Sequence, residues 1–98
     1  MQGDTVMPVD VWYVFRALGR RHFAVLERLY GGDATFSELS LHVQLRGGGL
    51  VFVLSDLLQG GFVERVSRGV YRITDRGRRL VDAVRAGTLW DAIRSVLF

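Results

Sequence analysis

The sequence predicts a mainly α-helical fold with one small β-hairpin, an arrangement of the α+β class. Two observations predict it. In several segments the apolar residues recur every three or four positions, as they do on one face of an α-helix. Between residues 62 and 73 this period gives way to two short runs of β-branched and aromatic residues, which favour strands. With 98 residues, 49% of them hydrophobic, the chain is expected to form a single domain over residues 1–98.

Two helices are expected first along the chain, one over residues 8–18 and one that carries Phe23 to Tyr30 and stops at the next two glycines. Pro8 suits the first position of a helix, where its missing N–H group is not needed. Gly19 separates the two segments, and the pair Gly31-Gly32 ends the second one. In each segment the apolar residues lie on one face, namely Val11, Trp12, Val14, Phe15 and Leu18 in the first, and Phe23, Leu26, Leu29 and Tyr30 in the second.

Two shorter helices follow, separated by a run of glycines. Thr35-Phe36 is expected to form a stub of strand, and Ser37 to cap a helix that continues to about Gln44. The three consecutive glycines Gly47–Gly49 are expected to break the helical structure. The next helix is then expected over Leu50–Gln59, where the inward residues are spaced by three and four: Leu50, Val53, Leu54 and Leu57.

A β-hairpin is expected after the glycines at positions 60 and 61. Its strands are Phe62–Val66 and Val70–Ile73, both rich in β-branched and aromatic residues. The tight turn between them is Ser67–Gly69, in which Gly69 supplies a positive φ angle. The sequence therefore predicts a short two-stranded ribbon with Arg68 at its tip.

Two helices are expected at the C-terminal end. Thr74 is a suitable N-cap for the first of them, which ends near Gly87 and carries its apolar residues at helical spacing. The second is expected over residues 88–98, where Thr88 and Asp91 resemble a capping box with aspartate in place of the usual glutamate. Its apolar residues are Leu89, Trp90, Ile93, Val96 and Leu97.

Two short helices joined by a tight turn and followed by a hairpin predict a helix-turn-helix with an appended β-ribbon. Four segments carry a more specific pattern: Phe23–Leu29, Phe36–Leu39, Leu54–Val63 and Tyr71–Leu80. On these residues the chain resembles the winged helix-turn-helix DNA-binding domains of bacterial and archaeal transcription regulators, most of all the MarR-like, HxlR-like and PadR-like groups. The last segment is similar to that family's Tyr-x-Leu-Thr-x-x-Gly-x-x-Leu pattern. The resemblance covers residues 20–82.

The resemblance implies a regulator of transcription that binds double-stranded DNA, with the second helix of the helix-turn-helix in the major groove. It makes Arg46, Val51 and Ser55 candidate DNA contacts. The sequence departs from the usual pattern here, because the outward residues Val51 and Phe52 are apolar and Leu50–Gln59 contains no arginine. Helices that read bases normally present arginine, asparagine, glutamine, serine or threonine. Val51 could contact the methyl group of thymine.

The hairpin, or wing, carries more conventional DNA contacts. Arg65, Arg68 and Arg72 lie on or beside it and suit the minor groove or flanking phosphates. Arginines are also concentrated in two blocks. Residues 16–28 hold four arginines and one glutamate, and residues 64–79 hold six arginines and two acidic residues. These blocks favour an anionic partner.

Three further features of the charge pattern leave alternatives open. A surface of solvated ion pairs explains the two blocks about as well as an anionic partner does. The arginines at the start of the penultimate helix could bind an external anion or pair with acidic neighbours; they are Arg76, Arg78 and Arg79, and the neighbours are Glu64, Asp75 and Asp82. Arg20 and Arg21 could contact the DNA backbone, although solvent exposure is the simpler interpretation.

The sequence contains no pattern typical of catalysis. It has no cysteine, its two histidines lack a metal-ligand spacing, and neither a phosphate-binding loop nor a Gly-x-Ser-x-Gly motif occurs. No enzymatic activity, metal or cofactor is therefore expected. No apolar run is long enough to span a bilayer and no secretory signal is evident, so we expect a cytoplasmic protein without a membrane partner.

Two partners compete for the apolar surfaces. The outward residues Val51, Phe52 and Leu58 allow an alternative in which the winged helix contacts a protein and not DNA. The flanking helices predict a homodimer, because a small winged core has little apolar surface to cover both of them. The expected interface residues are Trp12, Phe15, Leu89, Trp90, Ile93 and Leu97. The alternative is that these helices complete the core of a monomer.

Overall fold

The computed structural model describes residues 9–45 and 47–87, with side chains from residue 12 onward. Within these ranges the helices are α1 (Val9–Ala17), α2 (Arg20–Tyr30), α3 (Phe36–Val43), α4 (Gly47–Gln59) and α5 (Asp75–Ala86). The strands are β1 (Ala34–Thr35), β2 (Val63–Ser67) and β3 (Val70–Ile73). The predicted class, mainly α with a small β-hairpin, is confirmed. The predictions for Pro8, Arg46 and the helix over residues 88–98 lie outside the described residues.

The three strands form one antiparallel sheet in the order β1-β3-β2. Strand β1 pairs Ala34 with Tyr71, so the predicted stub of strand forms one residue earlier than expected. The hairpin β2–β3 turns at Gly69, whose φ of +74° confirms the predicted left-handed position. The register shifts between Arg65 and Ser67, which marks a bulge near the tip of the wing.

The core lies between α2, the inner faces of α3 to α5 and one face of the sheet. Its largest fully buried side chains include Phe62, Leu26, Leu29, Leu50 and Leu80. Helix α5 approaches the base of the hairpin at Gly77. A Cβ atom at that position would lie 2.4 Å from the carbonyl oxygen of Phe62, closer than any Cβ contact tolerates. The glycine in the Thr-x-x-Gly-x-x-Leu segment is therefore a packing requirement.

Helix α3 begins earlier than expected, because Thr35 and not Ser37 is its N-cap. The Oγ1 atom of Thr35 accepts a hydrogen bond from the Glu38 N–H at 3.1 Å, and the Glu38 carboxylate accepts one from the Thr35 N–H at 2.8 Å. This is a complete capping box. The prediction of Ser37 was wrong because Ser37 has no glutamate or glutamine three positions later, whereas Thr35 has Glu38.

Helix α4 also begins earlier than expected, at Gly47 and not at Leu50. The three glycines form its first turn, so the prediction that they break the helical structure was wrong. The change of direction lies before them, where Gln44 adopts a left-handed conformation with φ of 56°. Low helix propensity is a weak constraint, and the packing of Leu50 and the residues beyond it into the core overrides it.

Helix α1 packs against α4 and α2 through its buried residues Val14 and Ala17. A Cβ atom at Gly60, just after α4, would lie 2.8 Å from the Cβ atom of Tyr13. The N-terminal helix therefore lies beside the C-terminal end of α4, while Val51 and Phe52 in the N-terminal half of α4 stay exposed.

Candidate nucleic-acid interface

Helix α4 presents an apolar face to solvent. Its inward residues are buried at the predicted spacing. Of the outward residues, Val51 is 55% exposed and Phe52 is 63% exposed, as the sequence predicted. Leu58, which the sequence placed on the same outward face, is half-buried and packs against the core. The exposed apolar surface of α4 is therefore concentrated in its N-terminal half.

The polar side chains of α4 are engaged within the protein. The Gln59 side-chain amide donates a hydrogen bond to the Ser55 hydroxyl at 3.1 Å, and the Tyr13 hydroxyl donates one to the Gln59 amide oxygen at 2.5 Å. Ser55 is half-buried. The neutral groups that the sequence offered for base contacts on this helix are thus partly satisfied by each other and by α1.

The charged residue of α4, Asp56, joins three helices. Its Oδ2 atom accepts hydrogen bonds from the Arg16 guanidinium at 2.8 and 3.2 Å and lies 2.8 Å from His22 Nε2. Only 17% of the Asp56 side chain is exposed. Partial burial raises the pKa of Asp56, but its hydrogen bonds and electrostatic interactions with Arg16 and His22 outweigh burial and lower the pKa below its ordinary value. The carboxylate stays ionised and holds α4 against α1 and α2.

The wing arginines lie on different faces of the sheet. Arg65 pairs across the hairpin with Tyr71, on the face that looks toward α4, and its guanidinium lies 5.7 Å from the centre of the Tyr71 ring. Arg72 lies on the opposite face, where it pairs with Asp33 at 3.1 Å and with Glu64 at 3.9 Å. The hydrogen bond and charge of Asp33 raise the pKa of Arg72 above its ordinary value. Arg72 is therefore committed to an ion pair on the far side of the wing.

Arg68 lies at the tip of the wing, exposed on the turn before Gly69. Among the residues that the structure describes, it forms no ion pair. Its position makes it the wing arginine that a bound duplex reaches most easily.

Two grooves flank the exposed face of α4. The first, with a volume of about 420 Å³, lies between α4 and the wing and brings together Val51, Ser55 and Arg65. Its other lining residues are Phe36, Leu54, Leu58, Gln59 and Tyr71. Of the DNA contacts expected from the resemblance, three thus share one groove, Arg68 lies beyond its edge and Arg72 faces away from it.

The second groove lies on the other side of α4 and is strongly basic. With a volume of about 870 Å³, it lies between the start of α2, the end of α3 and the start of α4. Its wall carries Arg20, Arg21 and His42 beside the exposed ring of Phe52. From the sequence, exposure to solvent was the simpler interpretation of the two arginines. Their signal was present, because adjacent arginines in the first turn of a helix oppose its dipole.

The arginines at the start of α5 take part in contacts within the protein. The Arg76 guanidinium lies 4.9 Å from the centre of the Phe62 ring, and that of Arg78 lies 5.4 Å from the centre of the Tyr30 ring. These ring contacts were not among the partners expected from the sequence.

The residues expected at a dimer interface are only partly described. Trp12 is 55% exposed and Phe15 is 49% exposed on the outer face of α1. The other expected interface residues lie outside the described residues: Leu89, Trp90, Ile93 and Leu97.

The described residues offer neither of two other kinds of site, a metal site and a membrane span. The described residues bring together no group of three or more histidine, aspartate or glutamate side chains suited to a metal ion. None of the described helices combines the length and hydrophobicity that a membrane span requires.

Comparisons with known proteins bear on the fold. No protein-family model matches the chain, and no curated protein matches it significantly. Among solved structures, the chain is similar to the crystal structure of the transcriptional repressor BigR from Xylella fastidiosa, with a TM-score of 0.64 and 22% sequence identity. The similarity covers 78% of this chain and 83% of that chain. The fold is therefore that of a winged helix-turn-helix, while its assignment to the MarR-like, HxlR-like or PadR-like groups stays a prediction.

Proposed function

We propose that the protein binds double-stranded DNA and acts as a regulator of transcription. The observation that carries this proposal is the pair of basic flanks on either side of α4. One flank is the groove with Arg20, Arg21 and His42, and the other is the wing with Arg65 and Arg68. Arginine suits phosphate because its planar guanidinium can donate two parallel hydrogen bonds.

The positions of the two flanks, one on each side of α4, suit the way in which this fold docks on DNA. A recognition helix fills a major groove about 12 Å wide, and a phosphate strand borders that groove on each side. With α4 in the groove, the start of α2 faces one strand while the wing faces the other strand or the adjacent minor groove. Arg72, held by Asp33 on the far face of the sheet, is the least suited of the expected contacts.

The salt dependence of duplex binding tests the proposal. Each neutralised phosphate contributes about −0.9 to the slope of log association constant against log salt concentration, so about −3 to −5 is expected for each protomer. Arg68→Ala is expected to weaken binding to all sequences nearly equally. Arg85→Ala is the matched control, because Arg85 lies 4.0 Å from Glu27 and lines neither groove. A flat salt response overturns DNA binding.

The competing function is contact with another protein through the exposed residues Val51 and Phe52. It is favoured by the apolar character of α4 and disfavoured by the two basic flanks. A protein that binds no duplex at low salt, in a titration that includes a positive control, supports this alternative.

We also propose that the protein is a homodimer that uses the outer face of α1. Trp12 and Phe15 lie together there, each about half exposed, and large aromatic residues are preferred anchors of interfaces. The sequence predicts Leu89, Trp90, Ile93 and Leu97 as further contacts. A two-fold dimer places two recognition helices about 34 Å apart, one turn of DNA.

Light scattering at micromolar concentration tests the dimer. The expected mass is about 22 kDa, twice the 11.0 kDa of one chain. Trp12→Glu and Trp90→Glu are each expected to give a monomer, whereas Leu41→Glu, an exposed change on α3, is expected to leave the dimer intact. A wild-type protein that stays at 11.0 kDa at every concentration contradicts the proposal.

A further inference from the structure

We propose that α4 recognises pyrimidine C5-methyl groups in the major groove, with Phe52 and Val51 as the contacting side chains. In ordinary DNA this is the methyl group of thymine, and 5-methylcytosine carries the same group at the same ring position. The inference rests on the proposed DNA binding and concerns which chemical group the helix distinguishes.

The first step is the exposure of Phe52. Gly48 and Gly49 lie one turn before it, the positions that neighbour it on the helix surface. A Cβ atom at Gly48 would find no atom within 4 Å. No side chain of α4 itself therefore covers the ring on the side toward the N-terminus of the helix, which is the end that contacts base edges in this fold.

The second step is the lack of competing polar groups. Ser55 and Gln59 are hydrogen-bonded to each other, and Gln59 also accepts from Tyr13. Asp56 is negatively charged and held by Arg16 and His22. Among the described residues of α4, none therefore provides the free bidentate donor that distinguishes guanine or adenine.

The third step is the orientation of the ring. The Arg16 guanidinium lies 5.8 Å from the centre of the Phe52 ring and 5.5 Å from that of Trp12, while it also bonds Asp56. Phe52 is thereby supported on one side by a fixed cation. Its opposite flank borders the basic groove with Arg20 and Arg21.

The basic flanks select DNA as the occupant of this apolar face. An apolar partner surface gains nothing from arginines on both sides, whereas a duplex places a phosphate strand along each of them. The edge that lies between those strands carries one apolar group, the C5-methyl of pyrimidines. Apolar side chains between basic flanks therefore match that edge of the duplex.

The test is fluorescence anisotropy with an alternating A·T duplex and the same duplex in which every thymine is replaced by uracil. The two duplexes present the same hydrogen-bonding groups and differ only in the methyl groups. Burial of one methyl group corresponds to about a four-fold change in affinity, so loss of two contacts should weaken binding about fifteen-fold. A G·C duplex with and without 5-methylcytosine forms the second arm.

Phe52→Ala isolates the contribution of the ring from the effect of uracil on the shape of DNA. In this variant the difference between the two duplexes should fall to about four-fold, the effect of the one remaining contact at Val51. Leu41→Ala is the control, since Leu41 is 82% exposed on α3 and its removal should leave the difference unchanged. Both substitutions remove exposed side chains, and thermal melting followed by circular dichroism verifies that both variants are folded.

The outcomes separate this inference from the proposed function. A preference for thymine that Phe52→Ala reduces supports the inference, and tighter binding to methylated G·C DNA extends it to 5-methylcytosine. Thymine preference without an effect of 5-methylcytosine restricts it to thymine. Equal affinity for the thymine and uracil duplexes, with the steep salt dependence retained, overturns the inference but leaves DNA binding standing. Absence of binding to either duplex at low salt overturns both.

Discussion

The wing and helix α4 are both exposed, but they offer opposite chemistry to a partner. The wing presents Arg65 and Arg68 on a short hairpin. The N-terminal half of α4 presents Val51 and Phe52. The carboxylate of Asp56, farther along the same helix, is already bound by Arg16 and His22. Charged contacts and apolar contacts are therefore divided between different elements. The flanks provide long-range attraction to phosphate, while α4 provides short-range apolar contact.

The two regions also differ in what holds them. Helix α4 is fixed by a mostly buried carboxylate shared with α1 and α2, whereas the wing depends on glycines at its turn and its base. The ion pair beside the wing, Asp33 with Arg72, is exposed and adds little. Each region can therefore be perturbed separately, α4 by Asp56→Asn and the wing by Gly69→Val. Gly77→Ala disturbs the wing base together with the core, and Thr35→Ala acts on α3.

Gly77→Ala should have the largest effect, because it disturbs the base of the wing and the core together. The new Cβ atom would lie 2.4 Å from the Phe62 carbonyl oxygen and 2.6 Å from Cγ1 of Ile73. Overpacking of this kind lowers the free energy of unfolding by about 1–3 kcal/mol or more. Urea denaturation measures it. Gly48→Ala, which meets no atom within 4 Å inside a helix, should instead raise stability by up to about 1 kcal/mol. Equal effects of the two changes contradict the packing assigned to Gly77.

Asp56→Asn should weaken the attachment of α4. Loss of hydrogen bonds to a charged group lowers the free energy of unfolding by about 1.5–3 kcal/mol at neutral pH. Asp33→Asn is the matched control beside the wing, where an exposed pair contributes less than about 1 kcal/mol. Urea denaturation of both variants measures the difference between the two regions.

The pH dependence of Asp56→Asn has a definite sign. Folding lowers the pKa of Asp56 below the ordinary aspartate value of 3.8, so its contribution is fully present above that value. The contribution is lost as the pH falls through the folded-state pKa. The stability difference between wild type and Asp56→Asn should therefore shrink below about pH 4. A difference that is the same at pH 7 and pH 3 contradicts the ionised carboxylate described here.

Gly69→Val should damage the wing and spare the helices. A β-branched residue at a φ of +74° is strained by about 1–3 kcal/mol. Duplex binding is expected to fall, while the helical circular dichroism signal persists at the temperature of the binding measurement. Global unfolding, or unchanged binding, shows that the turn does not have the role given to it.

Thr35→Ala should have the smallest effect of the four, about 1 kcal/mol, through loss of the α3 cap. Ser37→Ala is the control, because Ser37 lies in the first turn and is not the cap. Thermal melting of both variants distinguishes the two positions. A larger loss of thermal stability for Ser37→Ala than for Thr35→Ala shows that Ser37 is the N-cap, as the sequence predicted.

Most elements of the fold could be predicted from local sequence patterns. Apolar spacing located the inward residues of α4, and β-branched runs with Gly69 located the hairpin. The first residues of the helices were predicted less accurately. The glycines before Leu50 indicated a break, but packing of the residues beyond them keeps this segment helical. Contacts between residues distant in sequence could not be predicted. Arg16 and Asp56 are 40 positions apart, and Arg72 and Asp33 are 39 positions apart.

The candidate site followed the same rule. Val51, Phe52 and Arg65 could be named because their residue types and local positions suffice. The basic groove required the start of α2 to meet the end of α3, which only the tertiary structure brings about. Arg72 could be identified as the least suited of the expected contacts only from the register, which places it opposite Glu64 on the far face of the sheet.

The salt dependence of duplex binding by three variants tests the central claim. The claim is that the basic flanks supply the phosphate contacts and α4 supplies the apolar contact. We expect Arg68→Ala and Arg20→Ala each to make the slope of log association constant against log salt shallower by about one. Phe52→Ala should weaken binding at every salt concentration and leave the slope unchanged. A slope that responds to Phe52→Ala but not to either arginine contradicts the division, and with it the proposed mode of DNA binding.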